Sequence, residues 1–231
     1  MLQVRKSEER GRSRHPWLHS RHSFSFANYH DPAHMGFSVL RVINEDDVVP
    51  GAGFPPHSHR DMEIISYVLE GSIEHRDSLG HVSRLHAGEA QRMSAGSGVT
   101  HSEYNASDSE PLRFLQIWIE PRQVGIPPSY EQRPVTSQAD GGFDLLVSPD
   151  ARDGSMKIHQ DASLYVARIA RGDQVAYGLA EGRRAYLHVV RGTVQVNGEV
   201  LGTGDAVAVQ DETRLTIAAS SNAEVLLFDL P

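Results

Sequence analysis

The sequence predicts an all-β protein in two halves with little helix. Short β-rich runs recur between Gly, Pro, Asn and Asp punctuation, and one proline-rich stretch interrupts the series. No window of about fifteen residues holds a sustained i, i+3, i+4, i+7 apolar pattern free of Gly and Pro, so long helices are not expected. Many short strands joined by close turns suit a sandwich or barrel. In order, the runs are Gly36–Ile43, Glu63–Leu69, Leu112–Ile119, Leu164–Ile169, Ala185–Val190, Thr193–Val196, Ala206–Val209 and Val225–Leu230.

The interruption is Pro121 to Gly142, which carries Pro121, Pro127, Pro128 and Pro134 and few large apolar residues after Tyr130. It reads as the connection between the halves, with Glu131 and Arg133 free to contact either one. A weak internal echo supports duplication. Tyr67-Val68-Leu69-Glu70-Gly71-Ser72-Ile73 matches His188-Val189-Val190-Arg191-Gly192-Thr193-Val194, and Gly88-Glu89-Ala90 matches Gly204-Asp205-Ala206. The intervals between the two glycines, 17 and 12 residues, require a loop deletion in the second half.

Composition narrows the chemistry. The 231 residues carry a formal net charge of −8, which disfavours direct nucleic-acid binding. There is no cysteine, so disulfides, thiolate nucleophiles, iron–sulfur clusters and cysteine-ligated zinc are excluded. Met1 to Arg14 is mostly polar and charged, and the apolar stretches, such as Val225–Phe228, are far too short to cross a bilayer. A cytoplasmic protein with no membrane association is expected.

Any metal site must use histidine, carboxylate or water. His57-Ser58-His59 leads into the run Glu63–Leu69, and His101-Ser102-Glu103 follows Gly96-Ser97-Gly98. Residues i and i+2 of an extended chain project from one face, so each segment can aim two side chains at one point. Together they can close a site of three histidines and one glutamate with positions left open. Such a set serves Fe(II), Mn, Ni, Cu and Zn alike, and open positions favour catalysis or ligand binding over a structural role. His15, His19 and His22 have helical spacing, but Pro16 forbids a helix through His15 and no carboxylate completes a second site. Phe24, Phe26, Tyr29 and Phe37 read as core packing. Phe54, Met93 and Tyr104 are candidates for a pocket wall. Gly96-Ser97-Gly98 does not form a nucleophile elbow, which argues against serine hydrolase chemistry.

The stretch Gly51 to Gly71, with H-x-H and Glu63, resembles the first cupin motif, and Gly88 to Asn105, with Gly96, His101 and Asn105, resembles the second. More narrowly, four segments together resemble the pirin family, and within it the bacterial pirin-like quercetin 2,3-dioxygenases. They are His22-Ser23-Phe24-Ser25-Phe26-Ala27-Asn28-Tyr29, His57-Ser58-His59-Arg60-Asp61-Met62-Glu63, Met93-Ser94-Ala95-Gly96-Ser97-Gly98 and Ser148-Pro149-Asp150-Ala151-Arg152-Asp153-Gly154.

The resemblance implies a bicupin, two β-barrel (double-stranded β-helix) domains packed face to face. The metal-bearing cupin is expected over residues 1–132 and a metal-free one over 133–231. The resemblance carries the metal-ligand roles onto His57, His59, His101 and Glu103. Glu63 sits three residues after His59, where many cupins place a glutamate ligand after four; in pirins the ligand comes from the second motif, and Glu63 becomes a strand neighbour. Superposing the echo puts Gly178, Ala180, Ile217 and Ala219 at the ligand positions of the second half, none of them a side-chain ligand. His159 and His188, lacking i, i+2 partners, are expected to face solvent or to hydrogen-bond.

The implied activity is cleavage of a flavonol such as quercetin by dioxygen with release of carbon monoxide. Glu103 is the expected catalytic base as well as a ligand. The expected cofactor is one divalent transition metal, Fe(II) first, with Cu, Mn, Ni, Co or Zn as alternatives. The expected partners are a small flavonol-like aromatic substrate and O2, and the expected state is monomeric. The alternative is a metal-dependent redox sensor or regulatory protein-binding pirin without turnover.

Overall fold

The structure, a computed structural model, describes residues 1–136 and 142–231. Residues 137–141, within the connection expected over Pro121 to Gly142, lie outside the described residues. Among the described residues there is no α-helix, only 3₁₀ turns at Ser7–Glu9 and Arg152–Gly154, and no helix is long and apolar enough to cross a membrane.

The strands are β1 (Leu2–Arg5), β2 (Gly11–His15), β3 (Leu18–His22), β4 (Leu40–Val48), β5 (Gly53–His59), β6 (Glu63–Glu70), β7 (Ser72–Asp77), β8 (Val82–His86), β9 (Glu89–Ser94), β10 (Val99–Asn105), β11 (Leu112–Ile119) and β12 (Ser129–Pro134). They continue as β13 (Phe143–Ser148), β14 (Met156–Lys157), β15 (Ser163–Ile169), β16 (Gln174–Gly178), β17 (Arg184–Arg191), β18 (Val194–Val196), β19 (Glu199–Leu201), β20 (Ala206–Val209), β21 (Arg214–Ala219) and β22 (Ala223–Leu230).

The chain divides into two compact units. The N-terminal unit, Gly11–Pro134 with Ile158–Gln160, has a seven-stranded sheet, β12-β9-β6-β11-β4-β3-β2, and a four-stranded sheet, β5-β10-β7-β8. Its core takes Val68, Leu112 and Phe114 from the larger sheet and Ile73 and Leu85 from the smaller, so apolar side chains from both sheets form one cluster. The C-terminal unit comprises Met1–Arg10, Val135–Lys157 and Asp161–Pro231. It repeats the plan with β1-β20-β17-β22-β15-β13-β14 and β16-β21-β18-β19. The sheets stay open in both. Each larger sheet has one outer strand from outside the repeated run: β12 pairs with β9 in the first, and β1 pairs with β20 in the second.

The echo is therefore structural. Gly71 and Gly192 both adopt left-handed φ, 75° and 85°, where a Cβ would lie 2.3 Å from the Pro111 carbonyl oxygen and 2.4 Å from that of Asn222. The Gly88 amide donates to the Val68 carbonyl, and that of Gly204 to the equivalent Val189. Strand pairing corrects the sequence superposition by two residues at His101 and Glu103 and by one at His57, whose equivalent is Tyr177. Glu103 faces His75 and Ile217 faces Val196, while His101 faces His57 and Leu215 faces Tyr177. The positions equivalent to His101, Glu103 and His75 are thus Leu215, Ile217 and Val196, all buried in the C-terminal core.

Three segments depart from the sequence reading. Gly11 to His22 forms the β2–β3 hairpin, two strands that the expected runs leave out, and its histidines form no helix, in keeping with Pro16. β4 runs beyond Ile43 through Asn44, Glu45, Asp46 and Asp47, because this strand places Asn44 and Asp46 on a pocket wall and pairs Glu45 with Arg21 and Asp47 with Arg113. Part of the proline-rich connection is strand β12, tied to β9 by an ion pair between Glu131 and the buried Arg92.

Candidate metal centre

β5 is the edge of its sheet, the position at which Pro55 and Pro56 are tolerated, because an edge strand leaves one row of amides unpaired. The pairing of Val99 with His59 and of His101 with His57 brings three imidazoles together. Their ring centroids are 4.5 Å (His57–His101), 4.8 Å (His57–His59) and 4.9 Å (His59–His101) apart. One nitrogen from each lies within 4.8 Å of the others. Between the pairs His101–His57 and Glu103–Phe54 strand β5 carries one extra residue, a bulge of the kind common near functional centres.

The nitrogens fit a metal. His57 Nδ1 donates to the Pro55 carbonyl at 2.8 Å, which leaves Nε2 as its lone-pair atom. His59 Nε2 and both ring nitrogens of His101 are buried with no hydrogen-bond partner. Orphaned buried nitrogens are costly unless something accepts their lone pairs. Burial pushes His59 down from 6.5 to about 4, with the His101 and His57 charges adding to it against Glu103. Burial likewise lowers His101 to about 4, opposed by Glu103 and reinforced by His57 and His75. Both are neutral at pH 7, the form that binds metal.

Glu103 is buried at the same place but with its own partners. Ser66 Oγ and Gln91 Nε2 donate to Oε1 at 2.7 Å each, and Gln116 Nε2 donates to Oε2 at 2.8 Å. Burial pushes this carboxyl up, but the His101 charge, the Ser66 hydrogen bond and the His75 and His57 charges outweigh it and hold the pKa below its ordinary value. Among the described residues a second group of potential ligands, His75, His101 and Glu103, shares two members with the predicted set. His75, which the sequence reading missed, is fully buried; it faces Glu103 across the strands, lies 3.3 Å from Asp77 and stacks on Tyr130 at 4.7 Å. The i, i+2 pattern His75-Arg76-Asp77 after Gly71 was its available signal.

The donors to Glu103 belong to one cross-strand row. Gln132, Gln91, Ser66, Gln116, Asn44 and His22 stand opposite one another from β12 to β3. The same row of the C-terminal unit reads Val4, Val207, Leu187, Leu227, Tyr165 and Leu145. A cavity of about 400 Å³ opens over this row, within the size range of small-molecule sites. His57, His59, Glu103 and Gln116 line it, and Trp17, Phe26, Phe54 and Trp118 supply its aromatic walls. Trp118 meets His59 edge-on at 5.1 Å and Phe26 at 5.4 Å. Of the wall candidates, Phe54 lines the cavity, whereas Met93 is buried in another cluster and Tyr104 is 37% exposed.

Other singled-out residues lie elsewhere. Glu63 accepts from Ser94 at 2.7 Å and from His159 Nδ1 at 3.2 Å, and belongs to neither group. His188 is buried in the C-terminal unit rather than solvent-facing, and burial, with the Arg10 charge, holds it well below its ordinary pKa.

Two open β-sandwiches of cupin plan, one with a three-histidine centre and the other with a filled apolar core, define a bicupin with one candidate metal centre. The chain matches the Pirin family over residues 3–119 and the quercetinase C-terminal cupin domain over residues 145–230. It belongs to the pirin family. It is 52% identical over 231 residues to the quercetin 2,3-dioxygenase of Escherichia coli strain K12, covering 100% of this chain and 99% of that one. A pirin-like protein of Caulobacter vibrioides is 42% identical over 231 residues, covering 99% of each. The crystal structure of the bacterial pirin YhhW of Escherichia coli in complex with nickel(II) matches with a TM-score of 0.97 at 52% identity, covering 100% of this chain and 99% of that one.

Proposed function

We propose that this protein is a metal-dependent dioxygenase that opens the central ring of flavonols such as quercetin with O2 and releases carbon monoxide. The observation that carries the reading is the convergence of three imidazoles, two of them (His59 and His101) with orphaned buried nitrogens, beside an ionised glutamate at an aromatic-lined cavity. The names of the E. coli relative and the nickel complex of the bacterial pirin support it. The centre belongs to the N-terminal cupin proposed over residues 1–132, and the cupin proposed over 133–231 is read as metal-free because Leu215, Ile217 and Val196 stand where His101, Glu103 and His75 do.

In this reading His57, His59, His101 and Glu103 hold one divalent metal, Fe(II) by preference. When bound, the metal supplies charge stabilisation for an ionised hydroxyl and a template for its encounter with dioxygen. Ser66, Gln91 and Gln116 fix the Glu103 carboxylate and keep it ionised. Glu103 then takes the proton of the flavonol 3-hydroxyl on a carboxylate oxygen. Trp118, Phe26, Phe54 and Trp17 hold the flat rings and exclude water.

The test is oxygen uptake and carbon monoxide release from quercetin by protein loaded anaerobically with Fe(II), with His101→Ala as control. Uptake lost in the variant supports the reading. No uptake after loading with Fe(II), Cu, Mn, Ni, Co or Zn would reject it in favour of the sensor role. A Glu103→Gln protein that retains metal and full turnover would reject the base assignment alone.

A further inference from the structure

The flavonol reading uses only the histidine side of the cavity. Asn44 lines it from β4, where it stands in the polar row between Gln116 of β11 and His22 of β3. It is the first polar residue after the apolar start of β4, and the metal chemistry gives it no part.

The Asn44 side chain is held from one end and open at the other. His22 Nδ1 lies 2.8 Å from Asn44 Oδ1; that oxygen only accepts, so Nδ1 is the donor and Nε2 takes the Ser13 hydroxyl at 2.8 Å. Tyr29 stacks on the imidazole at 6.3 Å and Phe26 packs tilted on it at 5.5 Å, which fixes the ring and through it the amide. Asn44 is 3% exposed, yet among the described residues its Nδ2 has no hydrogen-bond partner, and unlike the enclosed Nε1 of Trp118 it opens on the cavity. An amide nitrogen carries donor hydrogens and no acceptor capacity, so the atom that would complete it is an acceptor oxygen.

The strand spacing says which oxygen. Gln116 Nε2 donates to Glu103 Oε2 at 2.8 Å, and Asn44 stands one strand beyond Gln116, about 4.8 Å away. A ligand whose reacting hydroxyl meets Glu103 therefore presents to Asn44 an oxygen about one strand spacing further on. In a flavonol the 3- and 5-oxygens are that far apart, on either side of the ring carbonyl. The 5-hydroxyl gives its hydrogen to that carbonyl, so towards the protein it can only accept, which matches an N–H donor.

Resting on the flavonol reading, we infer that Asn44 is a specificity-determining residue whose Nδ2 donates to the 5-oxygen on the fused ring of a flavonol. The pocket thus selects 5-hydroxyflavonols over their 5-deoxy counterparts. A site that offers a buried donor discriminates against a ligand lacking the acceptor, because the donor is then desolvated without compensation.

The chain's two tryptophans, Trp17 and Trp118, both line the cavity, so binding is read by quenching of intrinsic fluorescence. Metal-loaded protein is titrated anaerobically with quercetin and with the same compound lacking only the 5-hydroxyl. Wild type is expected to bind quercetin about fivefold or more tightly than the 5-deoxy compound. Asn44→Asp keeps the oxygen that accepts from His22 and replaces the donor with an acceptor, and Asn44→Ala removes both. In each the ratio is expected to fall to about twofold or less. The two compounds differ at one oxygen, so a general loss of affinity in a variant cancels in the ratio. Equal affinities in wild type, or the wild-type ratio retained in the variants, would overturn the inference and leave the dioxygenase reading standing. Binding with the expected preference but without oxygen uptake would overturn the dioxygenase reading and leave the selectivity intact. Failure of both compounds to bind the wild-type protein overturns both.

Discussion

Acidification of the metal-stripped protein should unfold it through the histidine centre before the carboxylates titrate. His101 is held at about 4 in the folded chain against 6.5 when exposed. Between these values the unfolded chain binds a proton that the folded chain does not, so stability is full above pH 6.5 and falls as the pH drops towards 4. From pH 7 to pH 5 the loss from His101 alone is about 2 kcal/mol, taking about 1.4 kcal/mol per pH unit. His59 acts in the same direction, but it is half-buried and solvent screening reduces its share. Glu103 acts in the same direction in a lower window, because its lowered pKa adds stability that is lost only as pH falls below the ordinary carboxylate range. Urea unfolding of the apo protein at half-unit steps between pH 7 and pH 5 measures the slope, with His101→Leu as comparison. The variant should be flatter by about 2 kcal/mol over that interval. Identical slopes for the two proteins would refute the claim that His101 is buried neutral.

Replacing His57, His59 or His101 with alanine should weaken metal binding by more than the ~10–100-fold typical of outer-shell changes, measured by chelator competition. Gly53→Ala would place a Cβ 2.3 Å from the Glu103 carbonyl oxygen and 2.4 Å from Tyr104 Cα, forcing β5 off β10; a stability loss of about 1–3 kcal/mol and a weaker metal site are expected, read by denaturant midpoint and metal titration. Ser66→Leu and Glu103→Ile should each destabilise the apo protein, by roughly 1–3 kcal/mol, because each leaves buried polar groups unmatched. The combination Ser66→Leu, Gln91→Val, Glu103→Ile and Gln116→Leu, which copies the C-terminal unit, should cost at least about 2 kcal/mol less than the sum of its parts; additive unfolding free energies would count against the row as a coupled network.

The all-β class, the duplicated plan and the three-histidine cluster were legible because each has a local signature. Gly71 and Gly192 mark the same left-handed turn, and the i, i+2 spacing of His57 and His59 fixes a shared face whatever the sheet. What stayed hidden depends on which strands are neighbours. The Asn44 to Asp47 segment breaks an apolar run and looks like its end, yet its polar groups face a cavity and two arginines that are distant in sequence. His75 reads as an ordinary strand histidine until β7 is paired with β10. Phe26, read as core, lines the cavity because the segment after β3 turns back over His22.

The comparison of the two rows explains why one cupin gathers the candidate ligands and the described residues of the other put apolar side chains in their place. Strand order and turn glycines are shared, so the fold alone does not make a metal centre. In the C-terminal unit the row is Val207, Leu187 and Leu227, with Ile217 in place of Glu103, and every one of these is buried in a single apolar cluster. In the N-terminal unit Gln91, Ser66 and Gln116 replace them, and a carboxylate can then be buried with all three donors satisfied. None of these polar groups is tolerable alone: the glutamate without its donors is an unpaired buried charge, and the donors without the glutamate are unmatched. The row, the carboxylate and the histidines are therefore one unit of chemistry, and the apolar cupin is the form the same strands take when that unit is absent.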